Sequence, residues 1–172
     1  MLSGLALVVA AIVALGLLAP LFRGWSLRHA LLTAAADAST IRVVEHSDRF
    51  DPPFDPRKHY KEKIYRSVTL SADDVSRLRK AFPVSLDYSF AIQTLCGFSS
   101  HHRVEFVRRD GRVTILEICF QCGELELDGG EQRILPVGWD SSLQSFIISL
   151  GMSPTPKEAN KSLQATAMAF QF

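Results

Sequence analysis

The sequence predicts an α+β fold tethered by one N-terminal transmembrane helix. The tethered part is expected to hold an antiparallel sheet of 4–5 strands and two packed helices. Three observations predict it. The first is an uncharged run, Leu2–Phe22, ahead of every charged residue in the chain. The second is an Asp110-Gly111 pair between two β-branched runs. The third is an apolar stripe at helical spacing near the C-terminus, at Trp139, Leu143, Phe146, Ile147 and Leu150.

The chain has 172 residues, one domain of ordinary size, with 19 basic and 18 acidic side chains. That balance argues against a basic nucleic-acid binder. Leu2–Phe22 is 21 residues. At ~1.5 Å per residue a helix of this length spans the hydrocarbon core, roughly 30 Å thick. Trp25, just beyond it, suits the headgroup region. The partner of residues 2–22 is therefore expected to be the lipid bilayer. A cleaved signal peptide is the alternative, but no Lys or Arg precedes the run, which exceeds the usual apolar length. Arg23 and Arg28 follow the span, and by the positive-inside rule they favour a cytoplasmic domain.

Residues 1–24 are thus read as an anchor and 25–63 as a stalk, a short strand (Ile41–Glu45) and a loop. Ser26 caps an alanine-rich helix in the stalk. The loop, Asp48–Lys63, mixes three prolines with a dense run of charges, and His46 and His59 in or beside it read as solvated.

Residues 64–152 read as the compact domain. Ile64–Leu70 alternates as a strand does. Ser71 and Asp74 form a capping-box-like start, with Val75, Leu78 and Phe82 on the inner helical face before Pro83. Val84–Leu95 fits either a strand or a helix. Arg103–Arg109 and Arg112–Cys119 form a hairpin on a two-residue Asp110-Gly111 turn, which puts His102 opposite Cys119. Gly123–Leu127 and Glu131–Val137 add two strands, and Gly151 follows the last helix as its C′ residue. Glu117 reads as an exposed strand residue, with support of a neighbouring site as the alternative. Residues 153–172 read as a disordered tail.

One constellation could carry chemistry. Cys96, Cys119 and Cys122 lie around His101 and His102. Three thiolates and one imidazole make a tetrahedral set for Zn²⁺, while Cu(I) also suits soft sulfur. Three other readings stay open: ordinary buried cysteines, a disulfide from Cys96 to either partner on an oxidising side of a membrane, and a redox pair at Cys119-Phe-Gln-Cys122.

Cys96-Gly-Phe-Ser-Ser-His101 followed by Ile118-Cys119-Phe120-Gln121-Cys122 resembles a loose group of uncharacterised bacterial proteins with a Cys-x4-His … Ile-Cys-Phe-x-Cys pattern. Ser99-Ser100 stands where that group commonly has a proline and a basic residue. The resemblance covers about residues 90–150 and implies His101 as the fourth member of the set. It implies no particular activity. The ending SPTPKEANKSLQATAMAFQF resembles read-through of a mobile gene cassette into its recombination site.

No nucleophile–base pair, phosphate loop or zincin helix stands out by spacing. The sequence therefore points to a single-pass membrane-anchored accessory or binding protein with a structural or metal-binding Cys/His cluster. The alternatives are a thiol redox or metal-handling protein, and an interaction or inhibitor protein without chemistry. No feature identifies a protein partner.

Overall fold

The computed structural model describes residues 2–48, 51, 59–87 and 98–154, and within the first helix the side chains at 8, 9, 15, 16 and from 18 onward. The described residues form an α+β fold with three helices and a six-stranded antiparallel sheet. The helices are α1 (Leu2–Asp37), α2 (Ala72–Lys80) and α3 (Trp139–Ser149). The strands are β1 (Ala38–His46), β2 (Ile64–Thr69), β3 (His102–Arg108), β4 (Val113–Cys119), β5 (Glu124–Leu127) and β6 (Arg133–Ile134), in the spatial order β2-β1-β3-β4-β5-β6.

Local signals explain much of this. Ser71 caps α2 with both bonds of a capping box in place, its hydroxyl accepting from the Asp74 N–H while the Asp74 carboxylate accepts from the Ser71 N–H. Leu78 and Phe82 are buried as their spacing predicts. The five-residue stripe of α3 is buried throughout. The Trp139 ring lies 5.0 Å from Phe82 and donates its indole N–H to the Pro83 carbonyl at 2.9 Å, which locks α3 to the end of α2.

The helices all pack on one face of the sheet. Ile41, Val43, Val104, Phe106, Leu116, Ile118 and Leu125 share one strand parity and meet Leu27, Leu31 and Ala35 of α1 in a single core. Burying each large side chain contributes about 1.5–3 kcal/mol.

Two expectations about the N-terminal half change here. Residues 25–37 are no free stalk. They continue α1 without a break, and Leu27, Leu31 and Ala35 recur every fourth residue as a buried stripe. The short strand is no peripheral piece either. β1 lies between β2 and β3 and pairs with both, so the folded unit begins inside α1 rather than at residue 64. Among the described residues no helix is long and apolar enough to cross a membrane.

The β3–β4 hairpin also differs from its expected register. A type I′ turn needs positive φ at both Asp110 and Gly111. Gly111 has φ +83°, but Asp128 is the only non-glycine with positive φ among the described residues. The loop is three residues, with Gly111 N–H donating to Arg108 O at 3.1 Å and Arg108 N–H to Arg112 O at 2.8 Å. That is a type I turn closed by a left-handed glycine. The pairing slips by one residue, so His102 faces Ile118 rather than Cys119.

A histidine–carboxylate cluster as the candidate functional site

Strand parity sorts the candidate residues onto two faces. Residues that alternate with the core positions point away from the helices. On this outer face lie Arg42, Val44 and His46 of β1, Arg103 and Glu105 of β3, and Glu117 and Cys119 of β4. The register sets Arg42 opposite Glu105 and Arg103 opposite Glu117.

Glu105 is buried between two arginines. It accepts from Arg42 Nε and from Arg103 Nε, each at 2.7 Å. Burial pushes its carboxyl up, but the two guanidiniums outweigh that and hold it below the usual range. Arg103 also reaches Glu62 at 2.5 Å. These bonds tie the end of the charged loop to the sheet.

His46 is the centre of the second half of the cluster. Its Nδ1 lies 2.9 Å from the Ser47 carbonyl and 3.4 Å from Glu62. Its Nε2 lies 3.4 Å from Glu117, an ion-pair separation longer than a good hydrogen bond. Burial pushes the imidazole pKa down, yet Glu117, the Ser47 carbonyl and Glu62 together raise it above its ordinary value. Ser100 donates its hydroxyl to the same Glu117 carboxylate. His101 places Nε2 2.7 Å from Asp51, and its carbonyl accepts the His46 N–H at 3.0 Å.

The sequence reading missed His46, which is 5% exposed rather than solvated. The available signal was its position at the end of a β-branched run. Glu117, read as an exposed strand residue, has a side chain 25% exposed that faces His46. The order of groups limits what this cluster can do. In a hydrolytic triad an imidazole stands between hydroxyl and carboxylate. Here Glu117 stands between Ser100 and His46. Among the described residues the Ser100 hydroxyl bonds to Glu117 and to the His102 carbonyl rather than to an imidazole.

Four of the five predicted ligands lie among the described residues. Cys96 lies outside the described residues. His102 is on the helix side, 1% exposed, with its ring 5.2 Å from Phe120. Burial pushes its pKa down to about 4, so it is neutral at pH 7. The one-residue slip puts His101, not His102, on the parity of Cys119. Cys119 is a buried free thiol whose sulfur accepts the Cys122 N–H at 3.2 Å. Cys122 is disulfide-bonded and so offers no thiolate, the form a metal requires. Among the described residues, no group of three or more His, Cys, Asp or Glu side chains is placed to hold a metal ion.

Comparison of the chain with protein families, with curated proteins and with solved structures gives no match.

Proposed function

We propose that this chain is a single-pass membrane-anchored accessory or binding protein, with a domain held rigidly to its anchor and without an enzymatic centre in the histidine–carboxylate cluster. One observation carries the reading. α1 is a single helix of 36 residues whose two halves suit different solvents. Its second half is built into the core through Leu27, Leu31 and Ala35. Its first half is uncharged in sequence, and Val8, Val9, Leu15, Leu18 and Leu21 are exposed. In lipid such a helix satisfies its own backbone groups and exposes nothing unfavourable.

The disulfide at Cys122 supports a domain on the oxidising side of the membrane, because disulfides persist there and are reduced in the cytosol. It outweighs the two arginines behind the opposite expectation. Arg28 donates its Nε–H to the Phe82 carbonyl at 2.7 Å, so a structural task accounts for it. The thiol-redox alternative needs an accessible thiol of low pKa, and Cys119 is 1% exposed.

The test is alkaline carbonate extraction of cells expressing the full chain, paired with protease treatment of intact spheroplasts. The reading expects the chain in the membrane pellet and its domain digested from outside. A full chain that leaves the pellet at high pH overturns the anchor. A pelleted chain protected from protease overturns the orientation.

A further inference from the structure

The end of the uncharged run is not surrounded by water alone. The segment after α2 returns to it and packs against the helix backbone. Asp87 donates its N–H to the Pro20 carbonyl at 2.9 Å. Gly24 is buried where Ser85 crosses it. Pro20 lies two residues before the end of the uncharged run, or ~3 Å along the helix axis.

This segment carries exposed apolar side chains where a water-facing loop would carry polar ones. Val84 is 62% exposed, and Leu86 is exposed as well. The turn before α3 joins them, with Val137 N–H donating to Leu86 O at 3.2 Å and the Ser85 hydroxyl donating to the Val137 carbonyl. Val137 is also 62% exposed. On α1 itself Phe22 and Trp25 are exposed beside one another, their rings 6.1 Å apart.

We propose that Val84, Leu86 and Val137 form a second contact with the membrane, seated in the interfacial layer beside Phe22 and Trp25. The proposal rests on the anchor reading and deepens it. If Leu2–Phe22 lies in hydrocarbon, the Asp87–Pro20 bond sets the depth of this loop, and that depth is the headgroup and upper acyl region. The occupant is lipid rather than a protein because the Asp87–Pro20 bond holds the exposed Leu86 level with the end of the uncharged run, where Phe22 and Trp25 are also exposed. Arg23, the first charged residue in the sequence, follows the run directly. The consequence is a domain seated flat on the bilayer in one orientation, with the β3–β4 hairpin tip held away. Arg108 beside that tip pairs with Asp37 at the far end of α1, 3.6 Å away, and residue 37 is ~22 Å along the helix from residue 22.

The experiment uses the full chain in phosphatidylcholine nanodiscs, with Cys119→Ser as background and the disulfide left intact. An environment-sensitive fluorophore is attached at L86C, at V137C and, as the reference, at R109C. The lipid-quenchable part of the tryptophan emission reads the anchor separately, because Trp25 is exposed and Trp139 is fully buried. The expected result is blue-shifted emission at 86 and 137, quenched about two-fold by lipids brominated at the ~5–10 Å depth of interfacial side chains, with position 109 unaffected. Aqueous iodide quenching 86 and 137 as strongly as 109, while brominated lipid still quenches Trp25, overturns the second contact and leaves the anchor standing. Loss of all lipid quenching, Trp25 included, overturns both.

Discussion

The His102 imidazole lies edge-on to the Phe120 ring, 5.2 Å between centroids and 62° between planes, with neither ring nitrogen bonded to a side chain. A buried imidazole of this kind resists protonation, and its pKa falls from 6.5 to about 4. The unfolded chain then binds more protons than the folded one between those values. The stability from keeping His102 neutral is present above pH 6.5 and lost as pH falls through about 4, a loss of about 3 kcal/mol at 1.36 kcal/mol per pH unit. His102→Phe keeps a ring there and removes the titration. Urea unfolding in mild detergent at pH 7 and pH 4 is expected to show the acid loss smaller by roughly that amount in the variant. Equal losses in both proteins would remove His102 as the acid-sensitive group.

His46 has the opposite sign. Burial lowers its pKa, but Glu117, the Ser47 carbonyl and Glu62 raise it further than burial lowers it. Its contribution is fully present below the unfolded value near 6.5 and is lost as pH rises through the higher folded value. The imidazole is expected to titrate by NMR above 6.5. Glu117→Gln keeps an acceptor for Ser100 and removes the negative charge, so the midpoint should fall. A midpoint unchanged by that substitution would mean Glu117 does not hold the imidazolium.

What the sequence disclosed follows the range of the interactions. The α2 cap at Ser71 and Asp74 and the α3 stripe from Trp139 to Leu150 are set within one or two helical turns, and both are legible. The place of β1 is set by pairing with residues 64–69 and 102–108, which no local pattern encodes. His46 owes its burial to that placement, so it read as a loop residue. The hairpin was legible as a hairpin, yet its loop is one residue longer than Asp-Gly implies. Because side chains alternate, that single residue moved His102 across the sheet and dissolved its pairing with Cys119. His101, rather than His102, shares the parity of Cys119 in the observed register.

The cysteines make a direct prediction. With Cys122 disulfide-bonded and Cys119 free, the chain denatured without reductant should carry one reactive thiol, and Cys119→Ser should carry none. In the native protein Cys119 should react only on unfolding, since it is buried. Cys122→Ser should cost about 2–4 kcal/mol of stability through the lost cross-link. Three reactive thiols in freshly denatured protein would rule the disulfide out and return all three sulfurs to the metal question.

Glu105 tests the outer face of the sheet. It is buried, and Arg42 and Arg103 both bond to it. Glu105→Ala strips Arg42 of this partner but leaves Arg103 its bond to Glu62. Half the network survives and Arg42 can turn to water, so the expected cost is about 1–3 kcal/mol, the range for leaving charged donors unmatched. It should appear as a lower urea midpoint with an unchanged slope. A cost below about 0.5 kcal/mol would place the pair with ordinary surface salt bridges, whose median contribution is ~0–1 kcal/mol.

Gly24 offers a test in which two physical effects carry opposite signs. Within a helix, alanine is better than glycine by about 0.5–1 kcal/mol, because glycine loses more backbone freedom on folding. By propensity alone, Gly24→Ala would stabilise α1. The packing says otherwise. A Cβ at position 24 would meet the Ser85 carbonyl oxygen at 2.1 Å and the Asp87 nitrogen at 3.4 Å. Both are backbone atoms, so no side chain can swing aside to make room. Helix and loop must separate, which breaks the Asp87–Pro20 bond, at the ~1–3 kcal/mol typical of overpacking. The net expectation is a lower unfolding midpoint for Gly24→Ala, with loss of hydrogen-exchange protection at the Asp87 amide. Gly16→Ala is the control, since nothing lies within 4 Å of a Cβ there and it should leave that amide protected. Equal behaviour of the two variants would mean the segment Val84–Asp87 does not rest on α1, and the proposed lipid contact would lose the bond that sets its depth.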